Sequence, residues 1–405
     1  MSTPSPHSPQ LPPEATPEAT PEVAPDSGPA AGAPGGHDLA RYHRQMLLPG
    51  FGESGQRRLL ASSAFIVGCG ALGTVIANHL ARAGVGRLVI VDRDFIELTN
   101  LQRQVLFEEP DVENAVPKAE AARQKIARIN RQVTVEAVVD DLDPTNLERL
   151  LLGEAGGGKG PRCDVVVDGV DNFETRFLVN DAIVKHGIPY VYGGAVGTVG
   201  MTYTVLPHTP LAGSPWERAG VVTPCLRCIF EQAPPPGMNP TCDTAGVLGP
   251  TVAVIASLQA NEALKVLLGR YEAVSPTLTH VDTWENRLRQ LRVAGAYDAG
   301  DCPCCKGRSF EFLAGTYASG ATTLCGRNAV QVTQRLGPTQ MDLKALAGRL
   351  AAHGPVQASG FMVRATLRDG GTEYEFTVFK DGRAIIKGTK EGSVARNLYA
   401  KYIGG

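Results

Sequence analysis

The stretch from Ala64 to Asp94, AFIVGCGALGTVIANHLARAGVGRLVIVDRD, constrains the fold more than any other part of the chain. It opens with an apolar run, Ala64 to Val67, that reads as a buried strand. Gly68, Gly70 and Gly73 follow in G-x-G-x-x-G spacing. An apolar helical pattern (Val75, Ile76, Leu80) then runs to Gly84, and a second strand, Arg87 to Val91, finishes on Asp92. Glycines here let backbone approach phosphate oxygens, the helix start presents free N–H groups, and an acid about 20 residues on can hold a ribose. Strand before, helix after and acid at the end point to a nucleotide site in an α/β sheet. The fingerprint alone leaves NAD, FAD and ATP open.

With 405 residues and 43% hydrophobic content, the chain can bury a large core, so one large domain plus a smaller one is expected. A net charge of −2 argues against a nucleic-acid partner. No apolar run approaches the roughly 20 residues of a membrane span, and no basic-then-apolar signal pattern opens the chain. The expectation is a protein with no membrane association and a cytoplasmic location. Nine cysteines in such a chain suit metal ligands or reactive thiols better than a disulfide frame.

Residues 1–36 are rich in Pro and Ala, have little to bury and are expected to be disordered. Order should begin near His37 with a short helix, a break at Pro49-Gly50 and a second helix. Arg41, His43 and Arg44 crowd the first of these, where spacing alone favours a solvated face. After Asp92 come Asp94, Asn100, Arg103 and Gln104 in a loop or helix start, and Arg103 can offer a planar fork to phosphate or carboxylate. The next helix opens at Pro117 and Lys118. A lysine there opposes the macrodipole, so a nearby anion is expected. Val133 to Val139 reads as a strand, and Pro144 to Leu152 as a helix.

Asp164 to Asp168 is another buried parallel-type strand, and Phe173 to His186 the helix after it. Between them Asp171 lies beyond a strand's carboxyl end, where it can hold a metal ion or cap the helix. Ile188 to Leu206 supplies two strands. The connection 207–249 is long and rich in Pro and Gly, as functional or mobile loops are, and it contains Cys225, Cys228 and Cys242. A long apolar helix follows from Pro250 to Gly269, then strands at Thr277 to Asp282 and Leu288 to Val293. Cys302-Pro-Cys-Cys305 makes a second C-x-x-C pair with Cys304 inside it. Cys225, Cys228, Cys302 and Cys305 suit one tetrahedral zinc that pins the long loop. From about 307 the texture changes to a small module with a meander (Phe361 to Arg368, Glu373 to Lys380, Arg383 to Lys387) and a closing helix.

Several of these pieces recur together in one family. RYHRQ (41–45), GCGALG (68–73), VDRD (91–94), NLQRQ (100–104), PK (117–118), VDN (170–172), CLRC (225–228), TCDTAGVLGP (241–250) and CPCC (302–305) resemble the ThiF/MoeB family of adenylyltransferases, relatives of ubiquitin-activating enzymes. The resemblance implies a Rossmann-like, doubly wound α/β sheet with a four-cysteine zinc site over 37–306, and a small C-terminal α+β module over 307–405. It implies that MgATP reacts with the C-terminal glycine of a small ubiquitin-like sulfur-carrier protein ending in Gly-Gly, giving an acyl adenylate and pyrophosphate. The pathway would be thiamine thiazole synthesis, molybdopterin synthesis or tRNA thiolation.

Carried over residue by residue, Gly68, Gly70 and Gly73 would lie by the nucleotide and Asp92 would take the ribose. Asp94, Asn100 and Gln104 would belong to the same pocket, Arg103 and Lys118 would hold phosphates, and Asp171 would bind Mg2+. Arg44 matches an arginine that reaches the ATP of the partner subunit, so a homodimer is implied. Cys242 matches a cysteine that in the thiazole branch becomes linked to the carrier. Val170 stands where many members have Thr, which removes no ligand. Sulfur would come from a separate donor, a cysteine desulfurase or rhodanese-like protein. An NAD-dependent oxidoreductase is the competing reading, but it leaves NLQRQ, Lys118 and the cysteine pairs without a role. The terminal Gly404-Gly405, read as the end of a self-activated carrier, is a further alternative.

Overall fold

The computed structural model describes residues 39–154, 162–208, 213–230, 245–316, 321–324, 328–332, 341–380 and 382–403. The 1–36 tail, Cys242 and Gly404-Gly405 lie outside the described residues.

The apolar runs form eight strands of one sheet: β1 Ser63–Val67, β2 Arg87–Val91, β3 Thr134–Val138, β4 Val165–Asp168, β5 Tyr190–Val196, β6 Val199–Val205, β7 Thr277–Asp282 and β8 Arg287–Arg292. Their spatial order is β3-β2-β1-β4-β5-β6-β7-β8, parallel from β3 to β5 and antiparallel from there to β8. Every residue of β1 is buried, as a parallel strand covered on both faces requires. Four helices do most of the covering: α1 Ala71–Ala83, α2 Lys118–Ile129, α3 Phe173–His186 and α4 Gly249–Leu268. Ile66, Ile76, Leu80, Ile126 and Ile255 build the core on one face, and Phe65, Val67, Phe177, Ile183 and Tyr203 that on the other. α1, α2 and α4 therefore lie on one side and α3 on the opposite side.

Two expectations are corrected. α4, expected as a long apolar helix, is long and apolar enough, by length and composition, to cross a membrane, although no apolar run approaching a membrane span was expected. It packs on α1, β4, β5 and β6, and a helix covering the middle of a sheet must be apolar around much of its circumference. The helix expected over Pro144 to Leu152 begins three residues later, as an α turn at Leu147–Arg149 that continues into a wider π turn at Leu150–Glu154. Gly153 there has φ 109°, a left-handed conformation that ends the helix.

A second sheet has the order β11-β12-β13-β14-β10-β9, with β9 Ala321–Leu324, β10 Ala329–Val332, β11 Val356–Ala358, β12 Met362–Asp369, β13 Thr372–Phe379 and β14 Ala384–Lys387. Its neighbours are all antiparallel. The meander β12–β14 follows the sequence pattern, whereas β9, β10, β11 and helix α5 (Leu343–Leu350) do not stand out in it. Three or four residues give too short a window for a period to show. α5 begins at Asp342, whose side chain accepts from the N–H groups of Lys344 and Ala345. Together with α6 (Gly392–Tyr402), α5 closes a separate core around Leu346, Val363, Phe376, Ile386 and Leu398.

Candidate active site

Strand register assembles the site. Val67 pairs with Val91 on one side and with Asp168 on the other, so the carboxyl ends of β2, β1 and β4 lie next to one another. The loops leaving those ends carry Gly68–Gly73, Asp92–Asp94 and Gly169–Asp171. Ligands of open α/β sheets sit at such an edge.

Gly68 has φ +83°, and its N–H donates to Val91 O at 2.8 Å. A Cβ at Gly73 would stand 2.0 Å from Gly68 O, so only glycine lets α1 pack this close to the loop. Gly70 is the N-cap of α1 and supplies no side-chain cap, which leaves the first N–H groups of the helix for a ligand.

Asp92 accepts from Cys69 N at 2.6 Å and from Asp94 N at 2.7 Å. Burial raises its pKa, and Asp94 adds to that. Lys118 and the two N–H groups pull the other way without cancelling the rise. Burial and Asp92 together also raise the Cys69 thiol, so it stays protonated and packs in the core.

The anion expected beside Lys118 is the chain's own Asp94. Lys118 Nζ lies 3.0 Å from Asp94 Oδ2, and the Lys118 N–H donates to Asp94 O at 2.9 Å. The Lys118 side chain is only 5% exposed, and Asp94 is a counter-ion in direct contact with it. Pro117, expected within the first turn, is instead the residue before it. Gln104 is buried, its Oε1 has no partner among the described residues, and its Nε2 lies 3.9 Å from where a Cβ on Gly70 would stand. An orphaned buried oxygen beside the glycine loop is one that a bound polar group would satisfy. Asn100 spends its Oδ1 on Glu97 N at 3.1 Å, a local cap, and half-buried Arg103 donates to Thr99 O at 2.9 Å.

Asp171 is exposed, and the cap of α3 is its neighbour Asn172, which accepts from Thr175 N at 2.8 Å. Asp171 therefore does not cap α3, and its carboxylate acts on the charge of Arg93. Arg44 is not brought to this edge. Its helix, His43–Met46, is tied through Gln45 to Ala83 O, at the far end of α1 from Gly70. Thirteen residues of helix place those ends about 20 Å apart, so this chain's Arg44 and its own glycine loop are separated.

Two further groups were not picked out from the sequence. Arg93 donates to Asp141 Oδ2 at 2.7 Å. Burial works against its charge, but Asp141, Asp94 and Asp171 outweigh that and raise its pKa. Asp168 is fully buried. Arg176 Nε donates to its Oδ2 at 2.9 Å, the Tyr190 hydroxyl to the same oxygen at 2.8 Å, and Val170 N to Oδ1 at 2.9 Å. This network fixes the backbone just ahead of Asp171. The available signal was an acid closing a buried strand with an arginine one residue before Phe177 on an apolar helix.

Cys225, Cys228, Cys302 and Cys305 bring their sulfurs within 4.8 Å of one another. Individual separations are 3.8 Å (Cys225 to Cys228), 3.6 Å (Cys225 to Cys302) and 3.4 Å (Cys228 to Cys305). Metal–sulfur bonds of about 2.3 Å in a tetrahedron give edges of about 3.8 Å, so the four thiols can hold one metal ion. Cys304 is outside the group; its sulfur accepts from Asn180 Nδ2 at 3.3 Å. A cavity of about 640 Å³ opens elsewhere, among Arg58, Ser62, Asp164, Pro189 and Trp216. Those residues border the amino ends of β1, β4 and β5, the end of the sheet opposite the glycine loop.

Comparison with known proteins adds to this geometry. Residues 42–304 match the ThiF family. The chain is 41% identical over 366 residues to the sulfur carrier protein ThiS adenylyltransferase of Bacillus subtilis, covering 90% of this chain and 99% of that protein. With the Escherichia coli protein of the same name it shares 37% identity over 274 residues, 68% of this chain and 98% of that one. With the sulfur carrier protein adenylyltransferase of Thermus thermophilus it shares 42% over 256 residues, 63% and 88%. Among solved structures, E. coli MccB crystallised with MccA-N7isoASN superposes with a TM-score of 0.52 at 24% identity, covering 66% of this chain and 75% of that one. That likeness concerns the fold.

Proposed function

The chain belongs to the ThiF family, and from that premise we propose that it adenylylates the C-terminal glycine of a small ubiquitin-like sulfur-carrier protein. The observation that carries the reading is the convergence of the glycine loop, Asp92 and the Lys118–Asp94 pair on one sheet edge, in a chain 41% identical to a ThiS adenylyltransferase.

The carrier's terminal carboxylate attacks the α-phosphorus of ATP. An oxygen–phosphorus bond forms, the bond to the bridging oxygen of the β-phosphate breaks, and pyrophosphate leaves. The nucleophile is already ionised, so no side-chain base is needed. The difficulty is bringing an anion to a polyanion. In this reading Asp92 accepts the ribose hydroxyls, and the N–H groups at the start of α1 and Gln104 meet the phosphates. Lys118 and Arg103 neutralise the departing pyrophosphate, and Asp171 holds Mg2+. Bound Mg2+ supplies charge neutralisation across the phosphates. The four cysteines would hold a structural zinc that ties the Cys225–Cys228 turn to the chain after β8.

The reading includes a cytoplasmic homodimer in which Arg44 completes the partner's site, a need that the separation of Arg44 from its own glycine loop supports. Thiamine thiazole or molybdopterin synthesis would be served, with sulfur from a cysteine desulfurase or rhodanese-like protein and Cys242 as the candidate for covalent transfer. The test is ATP–pyrophosphate exchange against each small Gly-Gly carrier of the source genome. Exchange with a carrier, abolished in Asp171→Ala, is expected. Tight NADH binding with no carrier-dependent exchange would overturn the reading.

A further inference from the structure

The contact between the two sheets runs into the nucleotide edge. Phe95 follows Asp94 directly, and its ring stacks on Phe379 at the end of β13, 5.2 Å between centroids and 25° between planes. Met362 completes the buried cluster, with Ile385 packed against it. On its other side the Phe95 backbone bridges to Pro117, the residue before Lys118. Asp94 and Phe95 are thus held between the start of α2 and the second sheet.

A second grip lies beside the first. Arg383, 1% exposed, donates to Val139 O at 3.0 Å and stands 3.7 Å from Asp140. Gln331 Nε2 donates to Asp141 Oδ2 at 3.0 Å, the same oxygen that Arg93 holds at 2.7 Å. Lys387 stands 3.7 Å from Glu97. The C-terminal sheet therefore touches the chain on both sides of the Asp92–Asp94 corner, through Phe95 and through Asp140–Asp141.

We propose that the C-terminal module is a positioning device for the ATP site, with Phe379 and Arg383 fixing where Asp94 meets Lys118 without themselves touching nucleotide. The inference rests on the ATP reading above. A buried lysine stands where its counter-ion holds it. Asp94 is in turn fixed from the module's side, so loosening Phe95 moves the ammonium relative to the glycine loop. The expected signature is weaker ATP binding with the chemical step little changed, because the lysine is misplaced before ATP arrives and ATP itself can draw it back.

The experiment uses the full chain. Phe379→Ala, Phe379→Leu and Arg368→Ala are compared with wild type by direct ATP binding, by KM and kcat in pyrophosphate exchange, and by deuterium uptake of the peptide spanning 92–97. Arg368 is a module residue whose side chain is 79% exposed and faces Glu373. Loss of one aromatic stack should raise Kd and KM for ATP about three- to tenfold in Phe379→Ala, with kcat within about twofold and faster uptake at 92–97. Phe379→Leu keeps most of the apolar volume, guards against simple unfolding, and should shift Kd about twofold. Arg368→Ala should match wild type. Faster uptake at 92–97 with unchanged ATP binding in both Phe379 variants would overturn the proposal, as would an equal loss in Arg368→Ala. If wild type binds no ATP, the functional reading fails by itself. The uptake arm then decides whether the module holds the segment: unchanged uptake in the Phe379 variants overturns the grip, and faster uptake sustains it.

Discussion

Gly73→Ala puts a methyl group where α1 meets the glycine loop. The added carbon would lie 2.0 Å from Gly68 O and 2.9 Å from Gly68 C. Carbon and oxygen normally approach no closer than about 3.2 Å, so the gap must widen by roughly 1 Å. α1 cannot yield easily, because Ile76, Ala77 and Leu80 are fully buried against the sheet. The loop must therefore move, at a cost of about 1–3 kcal/mol in stability. A backbone N–H displaced by 1 Å from a phosphate oxygen no longer makes a hydrogen bond. One lost charge-assisted bond costs about 1.5–3 kcal/mol, or roughly 10- to 150-fold in ATP affinity. The assay is KM for ATP in pyrophosphate exchange at saturating carrier, with metal content checked to show that the variant is folded. Gly348→Ala is the matched control. It sits exposed in α5 with nothing within 4 Å, and should leave KM unchanged while stabilising the chain by about 0.5–1 kcal/mol. Wild-type KM in folded Gly73→Ala would refute the steric argument and the placement of phosphate at this loop.

The cysteine geometry predicts that Cys225→Ser and Cys305→Ser lose bound zinc whereas Cys304→Ser retains it; elemental analysis showing zinc loss in Cys304→Ser would reassign the ligands. Burial raises the pKa of Asp92; if Asp92 accepts the ribose hydroxyls, that ability is complete above the raised value and is lost as pH falls through it. ATP affinity should drop on acidification in wild type and be weak with a flatter pH profile in Asp92→Asn, as read by titration calorimetry; equal profiles would exclude Asp92 as the titrating group. The same shift has the opposite sign for the empty protein, which loses stability as pH rises from the ordinary carboxylate range through the raised value. If Arg44 serves the partner's site, Arg44→Ala and Lys118→Ala are each inactive alone, and reassembling them together should restore about a quarter of wild-type exchange, since half of the dimers then carry one complete site. No recovery on mixing would argue against a shared site.

The sequence determined what is written in a few consecutive residues. The order of strand, glycine loop, helix and strand from Ser63 to Val91, the span of α3 from Phe173 to His186, and the two C-x-x-C pairs all follow from local period, capping and spacing. Those signals act within about a turn or a strand length, so neighbours along the chain suffice to read them. Only the tertiary structure decided which charges face one another. Lys118 is answered by Asp94, 24 positions earlier, and Asp168 is closed off by Arg176 and Tyr190. Asn172 caps α3 in place of Asp171, and Cys304 turns to Asn180. The hold of Phe379 on Phe95 links segments far apart in the chain. Such contacts depend on which strand ends lie side by side and in what register. The buried apolar surface of the whole sheet sets that arrangement, and no single segment encodes it.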